Sequence, residues 1–441
     1  MPERAGALLR RALAEPPEPA LRATVLRELG ATELTLLDGA AAAHLGEALA
    51  AERDPAQRAE IAVELGFAHY TAGSHGDAVD VLLATIEEVE SDPRLREQRL
   101  RLEGVLALAG RYDLRTETRV RGRVARLAAG LAGETPGERL VRAVAASESP
   151  GETAAELARA TELAAWSLDA PRPWPDPTAG VGEAAMFLHA GRPAAAAEVV
   201  ERIVAQAARE GSQIRYAMGL ATRGVVALDV GDLRTAEAEL ATALDALAEA
   251  RAERMARTTV AFHAMALAER GALDRAEAAL EQHGLTGAVP EQMLFNPLLF
   301  MRGQLRLAQR RAVEAEADFR ELGRRHERWE MTRPSPPWRS ACALALIAQG
   351  EPAQARVLAA AELPLARRWD TPKAIAYTTR ALALADADGD GDARIDGLTA
   401  AVALLDGTPW RLDRARARVD LGGALRRAGQ RRAAREALAL A

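Results

Sequence analysis

The chain is predicted to be an all-α superhelical solenoid, and three observations carry that prediction. Apolar residues make up 49% of the 441 residues while aromatics make up only 4%. A core built from Ala, Leu and Val suits closely packed helices better than the β-branched and aromatic surfaces of sheets. A fixed pattern also recurs along the chain: a turn residue, then Ala five positions later, then an apolar residue four further on. It reads Gly73/Ala78/Leu82, Gly191/Ala196/Val200, Gly231/Ala236/Leu240, Gly271/Ala276/Leu280 and Gly429/Ala434/Leu438. Arg310/Ala315/Phe319 keeps the spacing without glycine, and Gly350/Ala355/Ala359 keeps it with a weaker last position. Finally, small residues precede several of these turns, as in Leu65-Gly66, Gly224 and Leu421-Gly422.

The spacing of Leu-Gly, turn Gly, Ala and Leu is that of tetratricopeptide-like helical hairpins. Each hairpin needs a small residue in both helices because the backbones approach closely. Glycine at the turn reaches the left-handed backbone conformation at low cost and ends the first helix. No hairpin can bury its apolar face alone, so hairpins stack, and the length predicts eleven or twelve of them in one solenoid over 1–441. In that picture each repeat touches only its neighbours, and small angular changes accumulate into a change of superhelical curvature.

Taken in order, residues 1–18 read as a second helix with a seam of Ala5, Leu9 and Ala12, stopped by Pro16-Pro17. The chain thus is expected to start half a repeat in, and to stop at Ala441 before a polar capping helix, as if cut at both ends from a longer polypeptide. Between 94 and 168 the pattern weakens, with expected helix pairs at 95–110 with 118–131 and at 137–147 with 152–168. The segment 169–182 carries Pro171, Pro173, Pro175 and Pro177 around Trp174 and reads as a stiff extended connection. Two more long connections are expected at 284–297 and 328–340, and long loops in such arrays are frequent sites of function. Pro364 is expected to kink or interrupt the helix over 354–369.

Composition excludes several functions. A net charge of −6 offers no concentrated basic surface for a nucleic-acid backbone. The single cysteine, Cys342, permits no internal disulfide and no cysteine zinc site, and its apolar surroundings make it a core residue in a reducing, cytoplasmic setting. No stretch has the run of apolar residues that a membrane span needs. Lys373, the only lysine, follows Pro372 and precedes Ala374, so no Walker A loop is present. No cofactor is expected.

Several local patterns resemble sites. Asp386, Asp388, Asp390 and Asp392 with Gly391 match the opening of an EF-hand loop, but Gly397 stands where the bidentate Glu belongs. A solvated acidic turn is the plainer reading, with a weak calcium site as the alternative. Ser74-His75 lies between glycines as in a nucleophile elbow, yet both flanks are helical and the pair reads as turn residues. Gly180-Val181-Gly182 with Ala185 matches a loose dinucleotide fingerprint without a preceding strand. The seven histidines show no metal-ligand spacing. Trp338 with Arg339, and Arg367 with Trp369, could stack on or hydrogen-bond a planar or sugar-like ligand. Tryptophans sealing helix interfaces are the plainer reading of both pairs.

Longer stretches carry a family resemblance. PWRSACALALIAQGEPAQARVLAAAELPLARRWDTPKAIAYTTRALAL (337–384), RARVDLGGALRRAGQRRAAREALALA (416–441), LLRRALAEPPEPALRATVLRELGATEL (8–34) and GFAHYTAGSHGDAVDVL (66–82) resemble the repeat region of large ATP-binding LuxR-type transcription regulators. These are similar to the maltose-responsive activators and are common in actinobacteria. The resemblance implies a non-enzymatic sensor that binds a small-molecule inducer or a protein partner and licenses self-association. In such regulators an ATPase precedes the repeats and a helix-turn-helix domain follows them. This sequence shows neither motif, so no ATP- or DNA-contacting residue is carried over, and no direct nucleic-acid or membrane partner is expected. The alternative reading is a free-standing adaptor that clasps a peptide or helix in its concave groove.

Overall fold

In a computed structural model the chain is an α-solenoid of tetratricopeptide-like hairpins, described for residues 2–15, 18–148, 153–164, 180–250, 252–331, 333–386 and 391–441. Among these residues the only β-type pairing is an isolated bridge between Asp113 and Gln292.

The repeating hairpin is set by the expected glycines. Pro55–Ala72 is followed by His75–Val89, Gln213–Val230 by Leu233–Glu249, Asn296–Ala308 by Ala312–Arg328, and Arg411–Arg427 by Arg431–Ala439. In each first helix one glycine faces a large side chain sixteen residues on. A Cβ at Gly66, Gly224, Gly303 or Gly422 would lie 2.9, 2.6, 2.5 and 2.6 Å from Leu82, Leu240, Phe319 and Leu438 respectively. The turn positions take positive φ, at 84° for Gly73 and 81° for Gly231, and Arg310 does the same at 64° without being glycine. Helix starts are equally explicit. Asp54 and Ser212 accept from the backbone N–H groups of Gln57 and Arg215, and Pro55, Pro193, Pro352 and Pro372 occupy the first helical turn, where a missing N–H costs nothing.

Three local expectations are corrected. The first helix, Pro2–Ala14, buries Gly6 and leaves Ala5 exposed, because its contact with helix Pro19–Thr35 is turned by one residue. The expected helix over 118–131 is split into Glu117–Val120 and Arg123–Ala128 by Gly122 at φ 65°, and Arg96–Arg111 packs instead on Pro136–Glu148, with Gly104 against Leu140. Helix Pro352–Trp369 runs through Pro364 without interruption, since Pro364 is exposed and Ala355, Ala359, Glu362 and Ala366 stay buried against neighbouring helices. The proline-rich 169–182 connection lies outside the described residues up to 179.

The largest correction concerns the range of contacts. The repeats do not touch only their sequence neighbours: successive superhelical turns are bonded to each other. Trp329 Nε1 donates to the Arg111 carbonyl at 2.9 Å, and Trp369 Nε1 to the His189 carbonyl at 3.0 Å. Trp410 Nε1 donates to Asp229 Oδ2 at 3.0 Å, and Lys373 Nζ to Asp229 Oδ1 at 2.6 Å. Arg254 Nη1 donates to the Tyr70 carbonyl at 3.1 Å, the Met293 N–H to the Tyr112 carbonyl at 2.8 Å, and Arg416 to Glu269. The long connection over 284–297 is held for this purpose by buried arginines. Arg302 donates to the Leu285 and Gly287 carbonyls and pairs with Asp318, while Arg325 donates to those of Val289 and Pro290.

Two stability measurements follow. Gly303→Ala is expected to cost about 1–3 kcal/mol by overpacking Phe319, whereas Gly46→Ala, with open space around its position, is expected to gain about 0.5–1 kcal/mol; urea melts of both variants check the contrast. Trp369→Phe keeps an aromatic ring but strands the His189 carbonyl, so it is expected to cost about 1–3 kcal/mol. Hydrogen exchange should then speed up around residues 186–192 as well as around 369.

Candidate functional site

The inner face of the superhelix is formed by the first helices of successive hairpins. Between Glu253–Glu269, Asn296–Ala308, Trp338–Ala348, Pro372–Ala385 and Arg411–Arg427 it opens a recess of about 230 Å³. Met265, Leu307 and Leu344 supply apolar wall, and Gln304, Tyr377 and Arg416 supply hydrogen-bonding groups. Gln304 Nε2 donates to the Tyr377 hydroxyl at 2.9 Å. Arg380 Nε donates to Asp420 at 2.5 Å, and Arg416 pairs with Glu269. The side chain of Arg416 retains 29% of its surface, so the pair can be reached from the groove.

The charges are arranged to stay charged. Burial opposes the Lys373 ammonium, but Asp229 and Asp413, at 2.6 and 3.6 Å, outweigh it and hold its pKa above the ordinary lysine value. Arg416 is likewise opposed by burial and raised by Glu269 and Asp413. Burial pushes the Tyr377 hydroxyl above its usual range, which leaves it a neutral donor and acceptor. The recess therefore offers a mosaic of compensated charge and neutral polar groups over an apolar wall.

The sequence-derived candidates fall elsewhere. Trp338 is 8% exposed and its ring covers Gly323, with the Arg339 guanidinium 4.4 Å from the ring centroid. Trp369 is 2% exposed and spends its N–H on His189, while Arg367 lies exposed on the same helix. The two Trp-Arg pairs are not brought into one site: Trp338 packs with Leu299 and Leu322, Trp369 with Ala190 and Ala366. Of the acidic turn, Asp388 and Asp390 lie outside the described residues. Asp386 accepts from Arg356 Nη1 at 2.9 Å, and Asp392 begins helix Gly391–Leu405. Among the described residues no group of three His, Cys, Asp or Glu side chains could hold a metal ion. Ser74 is the residue before helix His75–Val89, and His75 Nδ1 lies 2.8 Å from the Ala109 carbonyl in a packing role. Gly180 starts helix Val181–His189. Cys342 is fully buried, its thiol pushed up to about 11, chiefly by burial. Among the described residues no helix is long and apolar enough to cross a membrane.

Sequence reasoning did not find the recess, nor the role of Trp329, Trp369 and Trp410 as joints between turns. One signal was available for the joints: these three each stand at a helix boundary, Trp329 just after a helix, Trp369 at the end of one and Trp410 just before one.

Comparison with solved structures places the architecture. The fold is similar to the crystal structure of the APC/C hetero-tetramer Cut9–Hcn1, with a TM-score of 0.56 and 13% identity over 100% of this chain and 84% of that one. It is also similar to a Rap protein complexed with Competence and Sporulation Factor, with a TM-score of 0.51 and 12% identity over 87% of this chain and 96% of that one. No protein-family model matches the chain, and no curated protein matches it. The class defined by fold and groove is the tetratricopeptide-type α-solenoid.

Acid should loosen this structure in a defined window. Burial, followed by the charges of Arg333, His326 and Lys373, pushes His189 down to about 3. Burial, followed by Arg333 and Arg339, does the same to His326. Each native imidazole stays neutral where the unfolded one, near 6.5, takes a proton, so stability is full above pH 6.5 and falls as pH drops below it. Thermal melts between pH 7.5 and 5 should show a falling Tm, with a shallower fall in His326→Gln.

Proposed function

We propose that this protein is a non-enzymatic scaffold that holds a protein or peptide partner along the concave face of its superhelix. The observation that carries the reading is the recess itself. Five successive first helices converge on it, and its apolar wall is set with Gln304, Tyr377, Arg380 and Arg416. Such a surface suits an extended or helical segment, whose apolar side chains meet Leu307 and Leu344 while its polar groups meet the compensated charges. The fold likeness to Cut9, which assembles with Hcn1, and to a Rap protein complexed with a factor supports the same use of the architecture. Because Glu269 and Arg416 join two superhelical turns inside the recess, a partner that engages either residue changes how the turns are held.

The test pairs an inner with an outer substitution. Leu344→Arg fills the recess, whereas Val357→Arg alters an outward position that is 69% exposed. After partners are captured with the wild-type chain, direct titration should show binding weakened about tenfold or more by Leu344→Arg and left within about twofold by Val357→Arg. Equal binding to Leu344→Arg would move the interface off the concave face.

A second reading rests on the sequence stretches that resemble LuxR-type regulators. In it the same groove senses an inducer or partner for a larger, cytoplasmic, self-associating regulator, of which the 1–441 solenoid is one continuous sensing unit. The size of the native polypeptide on an immunoblot tests this reading: a band near 47.0 kDa supports the scaffold or a truncated regulator, and one about twice as large supports the full regulator.

A further inference from the structure

A second cluster forms where the connection between helices Ala312–Arg328 and Trp338–Ala348 meets helix Val181–His189 of the preceding turn. Ser335 Oγ and His189 Nδ1 stand 2.7 Å apart. Arg333 reaches the same helix, and its one hydrogen bond goes to the Met186 sulfur at 4.0 Å. Its Nε is buried and has no partner. Two further N–H-bearing atoms nearby are orphaned in the same way. His326 is 3% exposed with Nε2 unpartnered, and Trp338 is 8% exposed with Nε1 unpartnered. Gly323 lies against the Trp338 ring and is one helical turn from His326, so both face helix Trp338–Ala348.

The arginine and lysine charges near these groups are cationic: Arg333 and Arg339 act on His326, Arg333 and Lys373 on His189, and Arg111 on Arg333, where Tyr112 acts in the opposite sense. Among the described residues no carboxylate is ranged against Arg333, His326 or His189. Of the nearby acids, Glu330 pairs with Arg121, and Glu362, which faces Arg339, accepts from the Ser340 N–H at 2.8 Å through Oε2 while its buried Oε1 has no partner. Burial and then Arg111 bring the Arg333 guanidinium down to about 10. The buried Arg302, by contrast, pairs with Asp318. A guanidinium whose Nε is kept from water without a counter-charge is costly, and so is each N–H left without an acceptor. Three such groups, carried by Arg333 and by the two helices that flank it, call for an acceptor.

We propose that this cluster is a binding site for an oxyanion, a carboxylate or phosphate group, whose charge is met by Arg333 and whose oxygens accept from Arg333, His326 and Trp338. Arginine suits the task because its planar fork matches both oxyanions. His326 contributes as a neutral donor, with the proton on Nε2. The site stands apart from the groove recess and does not depend on the scaffold reading. Its place between turns means that an anion bound there ties Val181–His189 to the 329–337 connection.

The test is a thermal-denaturation titration of the full chain with inorganic phosphate, and separately with an N-acetylated, C-amidated triglutamate peptide, against sodium chloride at matched ionic strength. The wild type should show a saturable rise in Tm with at least one probe. A response to phosphate identifies a free oxyanion as sufficient, and a response to the peptide alone identifies a carboxylate carried on a polypeptide. Arg333→Met should lose the response, and in chloride it should melt at or above the wild-type temperature, which a merely structural arginine would not allow. Should Arg333→Met fail to fold by circular dichroism, Trp338→Phe takes its place and should weaken binding about fivefold or more through loss of one donor. No shift beyond chloride with either probe, or an equal shift in the variant, overturns the proposal.

Discussion

The structure depends on what happens at the carboxyl ends of the first helices. A helix leaves its last carbonyls without intrahelical partners and carries partial negative charge there. In this chain Tyr70, Arg111, His189, Asp229 and Glu269 lie in the last turns of five such helices, and each receives a donor from a later superhelical turn. The donors are indole N–H groups, guanidinium groups and the one lysine, which suits acceptors of negative potential. A solenoid of otherwise local contacts is thereby converted into a wound body with bonds between turns. That changes its mechanics, because curvature can no longer vary one repeat at a time.

The groove inherits its character from the same joints. Glu269 and Arg416 tie one turn to the next and also line the recess, so binding and winding share residues. Lys373 and Trp410 converge on Asp229 at a neighbouring joint, which fixes how the helices carrying Tyr377 and Arg416 meet the preceding turn. Specificity in such a groove comes from where compensated charges are placed, since each pair is already satisfied and a partner must offer equivalent bonds to displace it. The joint at Arg333 leaves cationic and N–H groups that the described protein does not satisfy.

The hairpin architecture was legible because it is local. The small residue at Gly66, Gly224 and Gly422 and the left-handed turn at Gly73 and Gly231 follow from steric demands within about one repeat. Arg310 shows that the turn geometry is imposed by packing once the rest of the pattern is in place. Where the pattern faded, from 94 to 168, partner assignment failed, because Gly104 meets Leu140 across an insertion whose length no periodic rule anticipates. Pro364 fails to interrupt its helix for a related reason: the cost of a helix-interior proline is local, whereas the burial that outweighs it comes from adjacent helices.

What the sequence by itself determined, then, is the helix class, the hairpin period, the positions of close backbone approach and the fold family they define. It also bounded the chemistry by leaving a single cysteine, a single lysine and a modest negative charge. The tertiary structure alone decided which turns touch, which tryptophans serve as joints and which do not, and where the recess opens. Residues such as Trp369 and His189 are separated by 180 positions, and their meeting is set by the summed twist of every hairpin between them. No short-range spacing encodes that sum, so the groove and its charged joints appear only when the whole chain is wound.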